Sequence, residues 1–518
     1  MKSLFKTVFI IIIFSAITRV VGFLFRIYVS RTIGAEALGQ YQVSFSIFMV
    51  LLTIISSGLP FIVSKLTAKY VAEKDVISQQ KMVTASVVIG FVLSIILCGL
   101  VVIFLPVLRA VFADEKCITI LLILLPALVF SSIYSTLRGN IWGKNQYMSL
   151  CLTELFEQVV RVLIFVILIQ GSLATHDGAY VSAISLSIAC LLSAVMVLVV
   201  YFAGGGKFKF GKSKQIYKNI IKQSAPITGV RIAASLIQPL VALIVPMRLV
   251  AAGFTSSQAL SLYGTAIGMT LPFLFIPSTI TGSLSTALVP DLSSAMAKND
   301  ADYIKARVIS AIKFTIFISI MFIPLYMGAG TFIGKFFYAN AQSGMMLEQS
   351  AWIILPMGIT NITSSLLNSL GYEVKSMRNY VLGAIIMFTS IWFLPKIIGI
   401  NSLIWGFGIC FIITSLLNLK MIKKIINSNL NITKYMVLMI VTILPSAAIC
   451  SLTTNLLANF VPLFFSIAIG CTLASIFFIL LCCIFNLIEL NVIKTKIKQR
   501  LPKNWFKKII KKRKIKKV

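Results

Sequence analysis

Acidic residues are scarce in this chain: Asp and Glu together number 14 among 518 residues, against 47 Lys and Arg. Only 12% of the residues are charged and 58% are hydrophobic, a balance that excludes an ordinary soluble protein. Membrane transferases usually hold a divalent metal between clustered carboxylates, and the sequence contains no such cluster. We therefore expect a membrane protein that is not an enzyme.

Histidine occurs once, as His176, and the nine cysteines are scattered without the short, regular spacing of metal ligands. A single His excludes a histidine metal cluster and any catalytic pair that needs two such side chains. We therefore expect neither a metal nor an organic cofactor.

Apolar runs of about 20 residues recur from the first residues to about Phe485, and each is long enough to cross a bilayer as a helix. Lipid offers backbone amides no hydrogen-bond partner, so segments of this kind must be helical. We predict an all-α integral membrane protein with 14 transmembrane helices. The predicted spans are 7–29, 38–64, 82–105, 118–139, 147–169, 178–203, 224–250, 261–290, 308–328, 347–370, 379–398, 401–421, 433–455 and 460–485.

The basic residues outside these spans fall almost entirely on one side of the membrane. If the N-terminus is cytoplasmic, the opposite side holds only Arg31, Arg109, Lys116, Lys335 and Lys396. Because loops rich in Lys and Arg stay in the cytoplasm, we predict an even number of spans and two cytoplasmic termini. This topology accounts for the net charge of +33, so we expect no nucleic-acid partner.

The chain also repeats itself loosely, since the segments SAITRVVG from Ser15 and SAPITGVR from Ser224 are similar and Pro126 and Pro356 occupy equivalent places. An even number of spans per copy gives both copies the same orientation. We predict two six-helix lobes in a parallel repeat plus two C-terminal helices; chance similarity between apolar helices is the alternative. The boundaries are 1–203 for the N-terminal lobe, 204–222 for a basic cytoplasmic linker, 223–421 for the C-terminal lobe, 422–485 for helices 13 and 14, and 486–518 for a polybasic cytoplasmic tail.

Arg19 and Arg26 lie inside the first predicted span, where an arginine costs roughly 3 kcal/mol at mid-membrane. Seven residues are two helical turns, so both guanidinium groups lie on one face with Gly22 between them. Arg231, early in the seventh span, falls within a turn of the position that the repeat makes equivalent to Arg19. We predict that these residues line one central cavity and bind a negatively charged cargo. The alternative is that Arg26 and Arg231 extend to opposite membrane surfaces, which leaves only Arg19 unexplained.

The fifth predicted span carries Glu154, Glu157 and Arg161 at spacings that place all three on one helical face. One interpretation is an internal ion pair that makes the helix tolerable in lipid. The other is that a carboxylate binds a coupling proton or Na⁺, or pairs with Arg19 in one conformation and releases it in another. Two acids and one base leave one carboxylate without a local partner, so the predicted cavity arginines are its candidate counter-ions.

The C-terminal tail mixes Lys and Arg with Trp505, Phe506, Ile509 and Ile510. This mixture predicts an interfacial segment that binds anionic membrane lipids. Simple enforcement of the topology is the alternative interpretation. The sequence carries no signal of the oligomeric state.

Three segments carry a resemblance to a known family: TRVVGFLFRIYVSRTIGAEALGQYQ at Thr18–Gln42, SGLPFIVSKLTAKYVAEKD at Ser57–Asp75 and LRGNIWGKNQY at Leu137–Tyr147. With the arrangement of six, six and two spans, the chain resembles the stage V sporulation protein B / polysaccharide-transporter family. That family belongs to the superfamily of multidrug, oligosaccharidyl-lipid and polysaccharide exporters. The resemblance covers essentially the whole chain.

This resemblance implies a flippase of the bacterial plasma membrane that carries an undecaprenyl-pyrophosphate-linked sugar outward by alternating access, with lipid II as the favoured cargo. A related lipid II flippase has cavity arginines in its first helix, which Arg19 and Arg26 match. It also has arginines in its second and eighth helices, whereas Leu38–Ser64 and Ser261–Pro290 contain none. The identity of the sugar is therefore open, as is a role in sporulation or in vegetative growth. A cation-coupled multidrug exporter of the same fold, or an exporter of another lipid-linked polysaccharide unit, is the alternative.

Overall fold

The computed structural model describes residues 2–171, 177–210, 214–298, 300–426, 432–485 and 487, and this part of the chain is helical with no strand. The helices are α1 (Lys2–Ser56), α2 (Gly58–Ala72), α3 (Val76–Ile103), α4 (Leu105–Val111), α5 (Glu115–Gly143), α6 (Tyr147–Gln170), α7 (Gly178–Ala203), α8 (Lys214–Ser235), α9 (Ile237–Val250), α10 (Ser256–Tyr263), a π-helix (Gly264–Thr270), α11 (Leu271–Leu274), α12 (Ile276–Ala297), α13 (Ala301–Tyr338), α14 (Ala341–Ser350), a 3₁₀ turn (Ala351–Ile353), α15 (Ile354–Ser369), α16 (Glu373–Phe393), α17 (Pro395–Ile398), α18 (Asn401–Ile425), α19 (Ile432–Val441), α20 (Ile443–Ala458) and α21 (Leu463–Ile484).

The predicted all-α membrane class is confirmed, but the count of 14 crossings is not. Among the described residues, nine helices are long and apolar enough to cross a membrane, or ten if one bent pair counts as a span. Helix boundaries that differ from the predicted ones, and charged residues inside some predicted spans, account for the difference between 14 predicted spans and nine or ten. Helix α1 contains the first two predicted spans in one element, α6 carries three charged residues, and α9 has only 14 residues. The number of crossings therefore stays a prediction.

A glycine separates the first two predicted spans. Gly34 has φ 79° and ψ 176°, so α1 consists of two helical parts, 2–33 and 35–56. A positive φ of this kind strains any residue with a Cβ, whereas glycine adopts it readily. The chain can therefore change direction here with almost no loop, in agreement with two successive spans.

The described residues form two compact units. Unit 1 comprises Met1–Phe273, Gly334–Met346 and Val381–Cys410, and unit 2 comprises Leu274–Ile333, Leu347–Tyr380 and the described residues from Phe411 onward. All of the sequence-predicted site residues lie in unit 1. Helix α8 begins inside the predicted linker, and its Ile220 is buried against Val83 and Tyr201 in the core of this unit. The predicted lobe boundaries stay predictions.

Close helix packing inside unit 1 places α5 at its centre, in contact with α1, α2, α3 and α7. Small residues permit this approach, since Gly139 meets the backbone of Pro60 and Gly143 meets that of Ser64. In unit 2, α12 packs on α15 and α20 on α21, and Asn418 donates hydrogen bonds to Thr363 and Ser364. In membranes, close packing and interhelical hydrogen bonds of these kinds hold helices together.

Two glycines, Gly39 on α1 and Gly264 at the start of the π-helix, bring two backbones into direct contact in unit 1. A Cβ on Gly264 would overlap the carbonyl oxygen of Ala35, and one on Gly39 would overlap that of Leu260. Overpacking at such a crossing costs about 1–3 kcal/mol. We expect Gly264→Ala to lower the midpoint of thermal unfolding in detergent by several degrees. Gly99→Ala is the matched control, because its Cβ would have no neighbour within 4 Å, and an equal loss there would contradict the packing argument.

Candidate functional site

The arginine face of α1 points away from the side of that helix which carries exposed apolar residues. Ile13, Ile17, Val20 and Leu24 are exposed and mark the lipid-facing side. At 100° per residue, Arg19 lies about 130° around the helix from the centre of that side. Arg19 is nevertheless exposed, so its guanidinium is not enclosed by protein. This exposure leaves the cation accessible to a ligand from solution or from the membrane interface.

Arg26 is held by backbone oxygens of the π-helix. Its Nε donates to the Gly268 carbonyl at 3.2 Å and its Nη2 donates to the Ile267 carbonyl at 3.0 Å. A π-helix is a rare element that occurs mostly at functional sites. Both of these acceptors are uncharged oxygens, and no ion pair joins Arg26 to a carboxylate in the described part of the chain.

Arg161 on α6 is a second, half-buried cation beside α1. Its Nη2 donates to the Tyr41 hydroxyl at 3.0 Å, and its guanidinium carbon lies 5.3 Å from the centre of the Phe25 ring. Its Nε is buried without a hydrogen-bond partner. A buried donor that lacks a partner costs about 1–3 kcal/mol, so this arginine retains capacity for an anionic ligand.

The acidic residues of α6 are not paired with Arg161, contrary to the internal ion pair that one interpretation of the sequence predicted. Glu154 instead pairs with Nη2 of Arg138 on α5 at 3.0 Å. The two side chains are 45% and 24% exposed, so the pair contributes little to stability. Sequence reasoning missed Arg138 because it lies one residue before the end of the predicted span 118–139 and resembles a cation of the adjoining loop; α5 continues to Gly143 and places it on the helix.

Glu157 remains as the unpaired carboxylate of the fifth span. It forms no ion pair with any described residue, and it lies beside the Tyr134 hydroxyl and the Arg138 guanidinium. The sequence predicted one surplus carboxylate in this helix, and the structure identifies it as Glu157. Arg19 does not approach it as a salt-bridge partner in the described part of the chain.

The charges in this part of unit 1 do not balance. Arg19, Arg26 and Arg161 have no carboxylate partner among the described residues, whereas Glu157 is the one acid there without a cation, and the Arg138–Glu154 pair is neutral. The arrangement therefore carries two surplus positive charges at membrane depth. Uncompensated charge is expensive in a membrane, so an anionic ligand is the natural complement.

The remaining predicted residues have simpler surroundings. Arg231 on α8 is exposed, with no contact to Arg19 or Arg26 among the described residues. A Cβ on Gly22 would meet only the Gln158 side chain at 3.7 Å, an ordinary contact, so packing does not require a glycine there. Their roles in binding cargo stay predictions. His176 and the polybasic tail, with its predicted contact to anionic lipids, lie outside the described residues.

A family model described as "Polysaccharide biosynthesis protein" matches residues 4–296, which is more than half of the chain. The match begins at the N-terminus of α1 and ends near the C-terminus of α12. It therefore includes every residue of the site described above.

Two curated proteins of Bacillus subtilis (strain 168) are similar to the chain over most of its length. Stage V sporulation protein B is 26% identical over 450 residues, which cover 84% of this chain and 86% of that protein. Lipid II flippase MurJ is 20% identical over 459 residues, which cover 82% and 83%.

A solved structure of an inward-facing multidrug resistance MATE family transporter of the MOP superfamily has the same fold. The TM-score is 0.64 at 15% identity, over 80% of this chain and 96% of that one. MurJ is named as a flippase and the MATE protein as a transporter, and the shared fold together with the long apolar helices supports a multi-pass membrane protein.

Proposed function

This chain belongs to the family of polysaccharide biosynthesis proteins, and from that membership we propose that it is a lipid flippase. Its cargo is an undecaprenyl-pyrophosphate-linked saccharide, with lipid II as the favoured candidate, carried from the inner to the outer leaflet by alternating access. The similarity to stage V sporulation protein B and to MurJ supports this class of cargo.

The observation that carries the proposal is the set of three arginines that have no carboxylate partner in the part of the chain that the structure describes. A pyrophosphate diester is a dianion, and Arg19, Arg26 and Arg161 exceed the unpaired acid Glu157 by two charges. Guanidinium groups bind phosphate oxygens through paired, charge-assisted hydrogen bonds. The pyrophosphate therefore meets equal and opposite charge at membrane depth, while the polyprenyl chain stays in lipid.

Arg26 has a second role in this proposal, because the guanidinium that binds pyrophosphate also joins α1 to the π-helix. Next to these hydrogen bonds, Gly39 and Gly264 bring the same two elements into contact on the predicted outer side. A phosphate oxygen is a stronger acceptor than the carbonyls of Ile267 and Gly268, so cargo competes for the guanidinium. Loading from the inside then loosens the outer contact, which couples binding to outward opening.

The membrane potential supplies the drive. Each negative charge that leaves a cytoplasm at negative potential gains roughly 2.3 kcal/mol per 100 mV, and a dianion gains about 5 kcal/mol. A free-energy gain of this size can drive the transfer without hydrolysis of a nucleotide. Coupling of H⁺ or Na⁺ at Glu157 stays a prediction beside it.

Potential-driven flipping can be measured in vesicles that contain the purified protein and lipid II. A potassium gradient with valinomycin sets the potential, and accessibility of lipid II to an external reagent reports its transfer. We expect outward transfer to accelerate at least about tenfold when the loading side is made negative by 100 mV, and to slow when the sign is reversed. Protein-free vesicles and equal potassium on both sides are the controls. Transfer that ignores the sign would refute the electrical drive, and no transfer of lipid II at all would refute the function.

A cation-coupled multidrug exporter is the competing function, because a multidrug resistance MATE family transporter has the same fold. Its cationic cargo needs acids without partners. The site has one such acid, Glu157, against three arginines without carboxylates, so it fits an anionic cargo better.

A further inference from the structure

A cavity of about 470 Å³ lies within unit 1 beside the arginine site. It runs from Ser131 and Glu157, deep along α5 and α6, to Trp142 and Leu150, near the loop that joins these helices. Its other lining residues come from α1, α2 and α5: Leu52, Ser56, Pro60, Tyr134, Ser135, Arg138 and Gly139. This volume is within the range of pockets that hold small organic ligands. None of the three arginines without a carboxylate partner lines it.

The cavity adjoins the anion site through one helix. Glu157 lines the cavity, and Arg161 follows it by four residues, about 6 Å along α6 at 1.5 Å per residue. A group attached directly to a pyrophosphate held at Arg161 and Arg26 could therefore enter the cavity. The cavity lies toward the side we predict to be cytoplasmic, from which the cargo is loaded.

The polar groups of the cavity can both donate and accept hydrogen bonds. The hydroxyls of Ser56, Ser131 and Ser135 donate to internal partners, which leaves their oxygens free to accept. Glu157 offers a carboxylate without an ion-pair partner, while Arg138 retains a buried Nε without an acceptor. Ligands with many hydroxyl groups match such a mixture, because every hydroxyl both donates and accepts.

The apolar wall and the charge of the cavity narrow the ligand class further. Tyr134, Trp142 and Pro60 give flat apolar surfaces that suit the C–H faces of a sugar ring. A permanent organic cation would be attracted by Glu157 but would meet the Arg138 guanidinium in the same space. A neutral saccharide satisfies both groups at once.

We propose that this cavity is the saccharide subsite of the cargo, with Glu157 and Arg138 as its specificity-determining residues. This inference rests on the proposed function, since it assigns the sugar and the pyrophosphate of one cargo to two adjacent places. The arginines then bind any lipid pyrophosphate, and the cavity selects those that carry the correct sugar.

The test compares two ligands on the full-length protein in detergent: lipid II, and undecaprenyl pyrophosphate without sugar. Binding to the wild type and to Glu157→Gln is measured by competition against a fluorescent polyprenyl pyrophosphate. We expect the wild type to prefer lipid II by at least about tenfold, and the variant to lose most of that preference. The reason is that a polar group built to pair with a ligand strongly rejects a ligand that cannot pair with it.

Two further variants make the result decisive. Glu36→Gln removes an exposed acid outside the cavity and should keep the wild-type preference. Ser135→Ala, a smaller change in the same wall, should reduce the preference in the same direction and replaces Glu157→Gln if that variant does not fold. A preference for lipid II that survives both cavity substitutions would overturn the subsite.

The outcomes separate this inference from the proposed function. If the wild type binds neither ligand, the flippase proposal itself fails. If it binds both ligands equally, the anion site stands and the saccharide subsite is overturned. If Glu157→Gln instead abolishes binding of tetraphenylphosphonium while the preference for lipid II is retained, the cavity is a site for organic cations.

Discussion

Replacement of Arg19 and Arg26 together by glutamine should reduce the initial rate of lipid II flipping at least about 100-fold. A hydrogen bond to a charged group contributes about 1.5–3 kcal/mol, so two lost phosphate contacts remove about 3–6 kcal/mol of binding to cargo. The polyprenyl chain and the sugar cannot compensate, because neither interacts with the guanidinium groups. The measurement is the flipping rate in vesicles that contain matched amounts of folded protein.

A charge-matched control for this experiment is available. Arg31→Gln with Arg109→Gln removes two cations that we predict to lie on the outer side, both exposed. This control should flip lipid II at close to the wild-type rate. If the Arg19/Arg26 double variant keeps full activity at a normal level in the membrane, the anion site is wrong.

The second large effect concerns the contact between α1 and the π-helix. Arg26→Gln should expose residues that this contact buries, because it removes both hydrogen bonds to the carbonyls of Ile267 and Gly268. Ala259, which is fully buried on the adjacent turn of α10, can be replaced by cysteine as a reporter. We expect labelling of that cysteine by a membrane-impermeant maleimide to accelerate about tenfold. Peptide-resolved mass spectrometry distinguishes it from the nine native cysteines.

Arg19→Gln distinguishes loss of this contact from loss of charge alone. Arg19 forms no hydrogen bond to the π-helix among the described residues, so in the Ala259→Cys protein its substitution should leave the labelling rate unchanged. Addition of lipid II to the Ala259→Cys protein with Arg26 intact should increase labelling, since cargo competes for Arg26. If neither substitution of Arg26 nor addition of lipid II changes the labelling rate, this guanidinium does not restrain the outer contact.

The class of the protein and the outline of its site followed from short-range rules. Alternation of apolar runs with basic loops predicts membrane helices, because lipid permits no unsatisfied backbone amide. Helical periodicity placed Arg19 and Arg26 on one face of α1, and Glu154, Glu157 and Arg161 on one face of α6. The surplus acid was also predictable, since two carboxylates and one base on a helix cannot all pair.

The partners of these groups were not predictable in the same way. Arg26 binds carbonyls 241 and 242 residues away, and backbone oxygens carry no signal in a sequence. Arg161 donates a hydrogen bond to Tyr41, 120 residues away, instead of pairing with Glu157, which lies one helical turn away. Glu154 pairs with Arg138, which lies on another helix at the very end of a predicted span. Each of these pairings depends on which helices pack together, and the sequence of an apolar helix contains little information on which helices are its neighbours.

The amino-acid sequence is enough to derive the membrane class, the excess of cations over acids within the predicted spans and the helix face on which each cation lies, because hydropathy and helical period act over a few residues. Tertiary packing alone decided that Arg26 binds a π-helix, that Glu157 is the acid left without an ion-pair partner, and that a polar cavity lies one helical turn from Arg161. Those features arise where segments that are distant in the sequence pack together. The free energy of that packing depends on side-chain shapes and backbone oxygens, which no local sequence pattern reveals.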